Sequence, residues 1–237
     1  MGSISFIVPM YNEQKRIKNT VQYFNKFLRF HPNDEVIFVN DGSTDHTVSE
    51  IYKYRRFPKR MRVYSYEHNI GKWYALFMGN FLAKKQYCVL VDADLSIDPE
   101  IVDDIRRFLR PDVLVIGNRY GKFVSEVPIR RFVVSRIFNF LVRFFLRLPY
   151  RDSQAPFKVW KRGGIFDGVF YTMLEEGFAG DIEFIKLAQM EGVKIIELDV
   201  FYEFAEGSSI NILKHGFEMF KAIFRVRKRI KLLYGKL

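Results

Sequence analysis

The segment YCVLVDADLSIDPE, from Tyr87 to Glu100, joins a run of apolar residues directly to a pair of carboxylates. Its first five residues, 87–91, are typical of a strand in the interior of a sheet. Asp92 and Asp94 follow, one residue apart, at the end of that strand. Two carboxylates this close repel each other unless a cation lies between them. The segment therefore predicts a site for Mg²⁺ or Mn²⁺, although a solvated acidic loop would show the same pair.

Strands and helices alternate on both sides of this segment. Apolar runs predict further strands at residues 4–9, 35–40, 62–66 and 112–117. Helical spacing of apolar residues, or a capping residue, predicts helices at 13–30, from about 47, at 72–83 and from 99 onwards. This alternation predicts an α/β fold, in which a mostly parallel sheet carries helices on both faces.

Three polar clusters follow three of these strands. They are PMYNE at 9–13, NDGSTD at 40–45 and DADLS at 92–96. Ligands of parallel α/β sheets bind beyond the carboxyl ends of the strands. We therefore expect the fold to bring the three clusters together into one site.

Composition limits the functions that the chain can have. Its 237 residues are 49% hydrophobic, and Cys88 is the single cysteine, which excludes an internal disulfide and fits a reducing compartment. A net charge of +11 indicates acidic partners, such as phosphorylated substrates, anionic lipid or nucleic acid. A basic nucleic-acid-binding module would explain the charge but not the acidic pair, so we expect no nucleic acid. A nucleotidyltransferase is a further alternative, but no glycine-rich phosphate loop with the expected spacing is present.

Two basic amphipathic segments lie in the second half of the chain. Residues 130–148 place Arg131, Ser135, Arg136 and Arg143 on one arc of a helix and apolar side chains on the opposite arc. Residues 211–237 repeat this pattern. We predict a main domain at 1–210 and a basic helix at 211–237 that lies on a membrane surface or leads to a membrane span beyond Leu237.

The polar motifs, taken together, resemble those of the inverting family 2 glycosyltransferases with a GT-A fold, in particular the dolichyl- and polyprenyl-phosphate mannose and glucose synthases. The resemblance covers about residues 4–210. The segments that carry it are VPMYNE, VNDGSTDHT, NIGKWYAL, VDADLSIDPE, GNRY, RDSQAPFKVWKR and GFAGDIEFIKLAQMEGVKIIELDV.

This resemblance implies a role for individual residues. The donor nucleotide would be bound by Pro9, Tyr11, Glu13, Asp41, Lys72 and Asp92. Asp92 and Asp94 would hold the metal, and Arg119, Arg131 and Ser135 would bind the acceptor phosphate. The sequence departs from the family pattern at 203–210, where neither the arginine nor the lysine common in relatives is found.

The implied reaction moves a hexose from a nucleotide sugar, of the GDP-mannose or UDP-glucose type, to a polyprenyl or dolichyl phosphate. The expected location is the cytoplasmic face of a membrane with an anionic surface, where the protein is peripherally bound. A phosphate acceptor is already anionic and needs no general base. A hydroxyl acceptor on a glycan is the alternative, and it would need a base such as Glu183 or Asp181. A structural role for both acids, with Asp181 as the cap of a helix and Glu183 on its first turn, is also possible.

Overall fold

The computed structural model describes residues 2–120, 129–154, 156–177, 179–202 and 212–236, without the side chains of 129–131 and 212–217. The strands form one sheet in the order β3-β2-β1-β4-β6-β5-β7. They are β1 (Ile4–Met10), β2 (Glu35–Asp41), β3 (Met61–Tyr66), β4 (Tyr87–Val91), β5 (Val113–Asn118), β6 (Phe157–Lys161) and β7 (Lys194–Asp199). The pairs of neighbouring strands are parallel except those that β6 makes with β4 and β5. The expected mostly parallel sheet is therefore confirmed.

Helices cover both faces of this sheet, as the alternation predicted. They are α1 (Ile17–Phe30), α2 (Thr47–Tyr54), α3 (Lys72–Leu82), α4 (Ile101–Ile105), α5 (Ile129–Leu146), α6 (Ile165–Thr172), α7 (Gly180–Met190) and α8 (Ile212–Tyr234), and a 3₁₀ turn, Arg106–Phe108, follows α4. Residues of α1, α2 and α4 pack into one hydrophobic core. Residues of α3, α5, α6, α7 and α8 pack into the other.

Alternate side chains of the central strand β1 pack into the two cores. Phe6 and Val8 face the core under α1, whereas Ile7 faces the core under α3. All three are completely buried. Burial on both faces explains why β1 is a continuous apolar run rather than an alternating one. It also makes the strand ends rigid supports for polar side chains.

The C-terminal helix α8 is part of the folded domain rather than a separate appendage. It packs against α5 and α7. Its inner face contributes Ala222, Ile223, Val226 and Ile230 to the second core. No helix within the described ranges is both long enough and apolar enough to cross a bilayer.

Candidate active site

The acidic pair lies where the sequence predicted it, immediately after β4. The Oδ1 atom of Asp92 is 2.7 Å from the Nζ atom of Lys72, the first residue of α3. Asp94 accepts a hydrogen bond of 3.1 Å from the backbone N–H of Ser96, which fixes its orientation. Leu95, between Asp94 and Ser96, adopts a φ of 54°, and its backbone N–H donates to the carbonyl of Asp92 at 3.1 Å, which closes a turn after β4.

The charges of this pair are set by burial and by Lys72. Burial raises the pKa of Asp92 above its ordinary value, and the ammonium of Lys72 partly offsets that rise. Burial alone would lower the pKa of Lys72, but Asp92 and Asp181 raise it, so Lys72 is a cation. One positive charge therefore faces two carboxylates, and the strand end carries a net negative charge.

This strand end suits a hard divalent cation that completes its coordination with substrate. Asp92 and Asp94 offer carboxylate oxygens on a rigid support, and Lys72 contacts only one oxygen of Asp92. Across the described residues, no group of three or more candidate ligands lies together. Mg²⁺ and Mn²⁺ commonly bind through one or two carboxylates plus substrate phosphates, so the donor set fits either ion.

The residues expected to hold the nucleoside lie at the ends of β1 and β2. Pro9 is in β1, and the Tyr11 side chain beyond it is 45% exposed, as a stacking surface for a base requires. Glu13 forms two hydrogen bonds with Arg16, of 2.7 and 2.9 Å. Burial raises the pKa of Glu13, Arg16 counteracts that shift, and Asp92 and Asp94 add to it. The charges of Asp92 and Asp94 therefore act on Glu13, as expected if the polar clusters after β1 and β4 lie together.

Asp41, the residue expected to contact the base, is buried and already hydrogen-bonded in this structure. Its carboxylate accepts from the backbone N–H of Ile70 at 2.7 Å, from that of Gly71 at 3.0 Å and from the Asn69 amide at 2.9 Å. It thus fixes the segment that leads into α3. Contact with a base remains a prediction, and a bound base would share these oxygens.

The first of the residues expected to bind the acceptor phosphate, Arg119, follows the end of β5. Asp152 is completely buried and forms a bidentate ion pair with Arg119, with Nε–Oδ2 and Nη2–Oδ1 distances of 2.6 and 3.0 Å. Burial opposes the charge of Arg119, but Asp152 raises its pKa well above the ordinary value. The hydroxyls of Tyr120 and Ser135 are hydrogen-bonded. Arg119 and Ser135 are thus brought to one place through Tyr120.

Tyr202 lies next to Arg119, and its pKa responds to the acidic pair as well. The Arg119 guanidinium lies 5.3 Å from the centre of the Tyr202 ring. Burial raises the pKa of Tyr202, Arg119 lowers it, and Asp94 and Asp92 raise it further. The charges of Arg119 and of the acidic pair therefore act on the same tyrosine.

Two expectations fall on residues whose side chains the structure does not describe. Arg131 lies in the first turn of α5, and its side chain is among those not described. The stretch at 203–210, where family cations are lacking in the sequence, also lies outside the described ranges. In contrast, the exposed Arg136 lies 5.4 Å from the centre of the Tyr120 ring. The sequence placed Arg136 on the polar arc of this helix without giving it a role.

The two candidate bases on α7, Asp181 and Glu183, are buried, and each forms an ion pair. Asp181 lies 2.5 Å from the Nζ atom of Lys158, and both side chains are almost fully buried. Glu183 pairs with Arg229 at 3.0 Å. The idea that Asp181 caps α7 is wrong, because the residue before the helix is Ala179 and no side-chain cap bond is present there.

Sequence reasoning missed Lys158, Tyr120, Tyr202 and Arg229. Only Lys158 had a usable signal, since a lysine between Phe157 and Val159 in an apolar stretch indicates a buried charge that needs a partner. The other three depend on contacts between distant segments.

The sequence profile of glycosyl transferase family 2 matches residues 5–173, which is more than half of the chain. The chain belongs to glycosyltransferase family 2. This glycosyltransferase is 29% identical over 243 residues to a dolichyl-phosphate beta-glucosyltransferase of Dictyostelium discoideum, covering 95% of the chain and 74% of that protein. It is 28% identical to the human protein of the same name, covering 95% of the chain and 75% of that protein.

Solved structures share the fold of this glycosyltransferase. Glucosyl-3-phosphoglycerate synthase from Mycobacterium tuberculosis, in complex with UDP, superposes with a TM-score of 0.70 at 17% identity, covering 96% of this chain and 80% of that one. Mannosyl-3-phosphoglycerate synthase from Rubrobacter xylanophilus gives a TM-score of 0.67 at 16% identity, covering 100% and 76%. At this identity the similarity shows the GT-A fold alone. The expected family, fold class and enzyme class are thus confirmed.

Proposed function

We propose that this glycosyltransferase moves a hexose from a nucleotide sugar to a polyprenyl or dolichyl phosphate at a membrane surface. The observation that carries the proposal is the position of Arg119, which forms a bidentate ion pair with the buried Asp152 and lies 5.3 Å from the centre of the Tyr202 ring. The names of the relatives favour glucose as the hexose and dolichyl phosphate as the acceptor. GDP-mannose remains a donor to be tested beside UDP-glucose.

On the donor side, the residues after β4 and at the start of α3 would bind the diphosphate. A Mg²⁺ or Mn²⁺ ion held by Asp92 and Asp94 would supply charge neutralisation for the departing nucleoside diphosphate. The ammonium of Lys72 stabilises the carboxylate form of Asp92 and offsets part of the rise in its pKa that burial causes, and it would add a positive charge next to the diphosphate. Tyr11 offers an exposed aromatic face to the base.

On the acceptor side, Arg119 would orient the phosphate for attack. One phosphate oxygen forms the new bond to C1 of the sugar while the bond from C1 to the diphosphate oxygen breaks, so a direct displacement inverts the anomeric centre. Asp152 balances the charge of Arg119 and fixes its guanidinium plane. The arginine can therefore bind the phosphate through directed N–H groups without withdrawing all of its negative charge.

The state of the two acids on α7 supports a phosphate rather than a hydroxyl acceptor. Asp181 is held by Lys158, and both oxygens of Glu183 accept hydrogen bonds from protein groups. Both oxygens of Glu183 are thus occupied, and Asp181 is paired through its Oδ1 atom. A phosphate nucleophile needs none, because it is already anionic near neutral pH.

The proposal is tested with UDP-glucose and GDP-mannose, each with Mg²⁺ or Mn²⁺ and a short-chain polyprenyl phosphate. We expect a glycolipid of inverted anomeric configuration, detected by mass spectrometry and NMR. Product formation only with a hydroxyl acceptor would replace this function with the alternative. Binding of nucleic acid that does not depend on metal, without transfer to either acceptor, would contradict both.

Replacement of Arg119 by lysine is expected to raise the KM for the lipid phosphate roughly 10- to 100-fold, because lysine cannot make the bidentate contact with Asp152 and a directed contact with phosphate together. The KM for the nucleotide sugar should change little. Arg110→Lys, an exposed arginine before the start of β5, is the matched control. Equal effects on both substrates would contradict an acceptor role for Arg119.

We also propose that α5 and α8 form the surface that meets the membrane. The apolar side of α5 is divided, since Phe138, Val142 and Leu146 are buried in the core whereas Ile137, Phe140 and Phe144 are exposed. Phe224 of α8 is half-exposed and packs on Phe145, with ring centroids 4.9 Å apart. Exposed basic residues of the two helices flank this apolar surface, namely Arg136, Arg143, Lys221 and Lys228. Apolar rings beside cations suit an anionic bilayer.

Replacement of both Phe140 and Phe144 by serine should weaken binding to phosphatidylserine-containing vesicles at least about 10-fold, because each ring contributes roughly 1.5–3 kcal/mol when it leaves water. Vesicle flotation measures the effect. Phe30→Ser, on α1 at the opposite face of the sheet, removes a ring that is at least as exposed and should have no effect. If Phe30→Ser weakens flotation as much, α5 is not the membrane surface.

A further inference from the structure

Glu183 is a buried carboxylate whose two oxygens bind different partners. Its Oε2 atom accepts hydrogen bonds from the backbone N–H groups of Leu174 and Glu175, at 2.9 and 2.7 Å. Its Oε1 atom binds the Arg229 guanidinium at 3.0 Å, and the Glu183 side chain is only 1% exposed. A carboxylate in this state has no open oxygen for a substrate proton. It instead fixes the segment 172–176, which we call the clasp.

The clasp lies directly against the start of α3. The backbone N–H of Trp73 donates to the carbonyl of Glu176 at 2.7 Å. Gly71 has a φ of 140°, and a Cβ atom on it would lie 2.4 Å from the same carbonyl oxygen. Close backbone approach therefore requires glycine here. Lys72 lies between these two contacts, and its Nζ atom is 2.7 Å from Asp92.

Helix α8 holds the clasp from its other side. Arg225 forms a bidentate ion pair with Glu175, at 2.7 and 2.8 Å. Arg229, besides its bond to Glu183, donates to the backbone carbonyl of Thr172. Both arginines belong to the segment 211–237, which the sequence predicted to be a basic helix without giving either of them a role. In the structure both arginines pair with the clasp, Arg229 with its side chain 20% exposed and Arg225 with its side chain 51% exposed.

We propose that Glu183 and Arg229 are positioning residues that hold the clasp against the start of α3, and thereby place Lys72 beside Asp92 for binding of the donor diphosphate. The inference rests on the proposed function only for the identity of the donor. If Arg229 has this role, the C-terminal helix α8 contributes to the structure of the donor site. Loss of contact between α8 and the clasp releases Lys72 from Asp92.

A positioning role and a base role for Glu183 predict opposite results. Loss of a base lowers kcat and changes the pH profile while nucleotide affinity stays the same. Loss of a positioning residue weakens nucleotide affinity and leaves the shape of the pH profile unchanged. Arg229 separates the two further, because it is not a base yet should give the same result as Glu183.

The experiment compares Glu183→Gln and Arg229→Met with Lys231→Met, which removes an exposed charge from the same helix two residues away. Hydrogen exchange at the amides of Trp73, Leu174 and Glu175 is measured together with the Kd of UDP and of GDP in the presence of Mn²⁺. We expect faster exchange at all three amides and a Kd raised roughly 2- to 30-fold in the first two variants only. Arg225→Met, at a half-exposed ion pair, serves if a buried variant does not fold.

Unchanged exchange at these amides, or a lower kcat with wild-type nucleotide affinity in Glu183→Gln, would overturn the inference. Its failure is distinguishable from failure of the proposed function. A wild-type protein that transfers no hexose to polyprenyl phosphate refutes the function, whereas the exchange measurements still decide whether Glu183 and Arg229 hold the clasp.

Discussion

Asp94→Asn is expected to reduce hexosyl transfer about 100-fold or more at saturating substrates. Asparagine keeps the size of the side chain and can still accept the hydrogen bond from Ser96, so the turn after β4 should be retained. The change removes one negative charge from the pair that would hold the divalent ion. Charge stabilisation at the departing group contributes several kcal/mol in enzymes of this kind, and little of it survives without the ligand.

Transfer rates and Mn²⁺ affinity, the latter by titration in the presence of nucleoside diphosphate, should fall together. Asp112→Asn is the matched control, because Asp112 is an exposed carboxylate just before β5, at the end of the strands opposite to that of Asp94. Asp92→Asn should lower activity as well, since it also leaves Lys72 without its partner. An Asp94→Asn enzyme with wild-type turnover would remove the acidic pair from the mechanism.

Lys158→Met is expected to lower the free energy of unfolding by about 3–5 kcal/mol. Methionine fills nearly the same volume on β6, but it leaves the Asp181 carboxylate buried without its ion-pair partner. The large loss therefore comes from an uncompensated charge rather than from a cavity. Urea denaturation measures it, and Lys161→Met, on the same strand but partly exposed, should change stability by less than about 0.5 kcal/mol.

The double variant Lys158→Met/Asp181→Leu provides the decisive comparison. Replacing a whole buried ion pair with apolar residues is often neutral or stabilising, so most of the lost stability should return. If the double variant is as unstable as Lys158→Met alone, an unpaired charge is not the cause. Lys158 would then be acting through its packing near the Trp73 ring, 6.0 Å away.

Strands β1, β2, β4 and β5 could be predicted because each is buried along its whole length. Residues 4–9, 35–40 and 87–91 are apolar runs that end at polar clusters, and the structure has β1, β2 and β4 there. The antiparallel strand β6 was not predicted as such. Its sequence, FKVWK, interrupts the apolar pattern with Lys158, whose burial is possible only because Asp181 approaches from a helix distant in sequence.

The candidate site was predictable to the same extent. Asp92 and Asp94 follow from strand burial and local spacing, and these signals lie within a few residues of each other. The hydrogen bonds of Glu183 could not be predicted in this way. Its partners are the backbone of 174–175 and Arg229, and a sequence pattern contains no information on those distances. The same applies to Asp152, which the sequence shows only as a loop acid but which is the buried partner of Arg119.

The sequence by itself determined the alternation of strands and helices, the acidic pair and the family, because burial period and short motifs are local properties of the chain. Only the tertiary structure decided which charges neutralise each other. Lys72 with Asp92, Arg119 with Asp152, Lys158 with Asp181 and Arg229 with Glu183 are each separated by 20 or more residues. A buried charge is stable only where folding brings its partner within a few ångströms, and that distance is fixed by the packing of the whole domain.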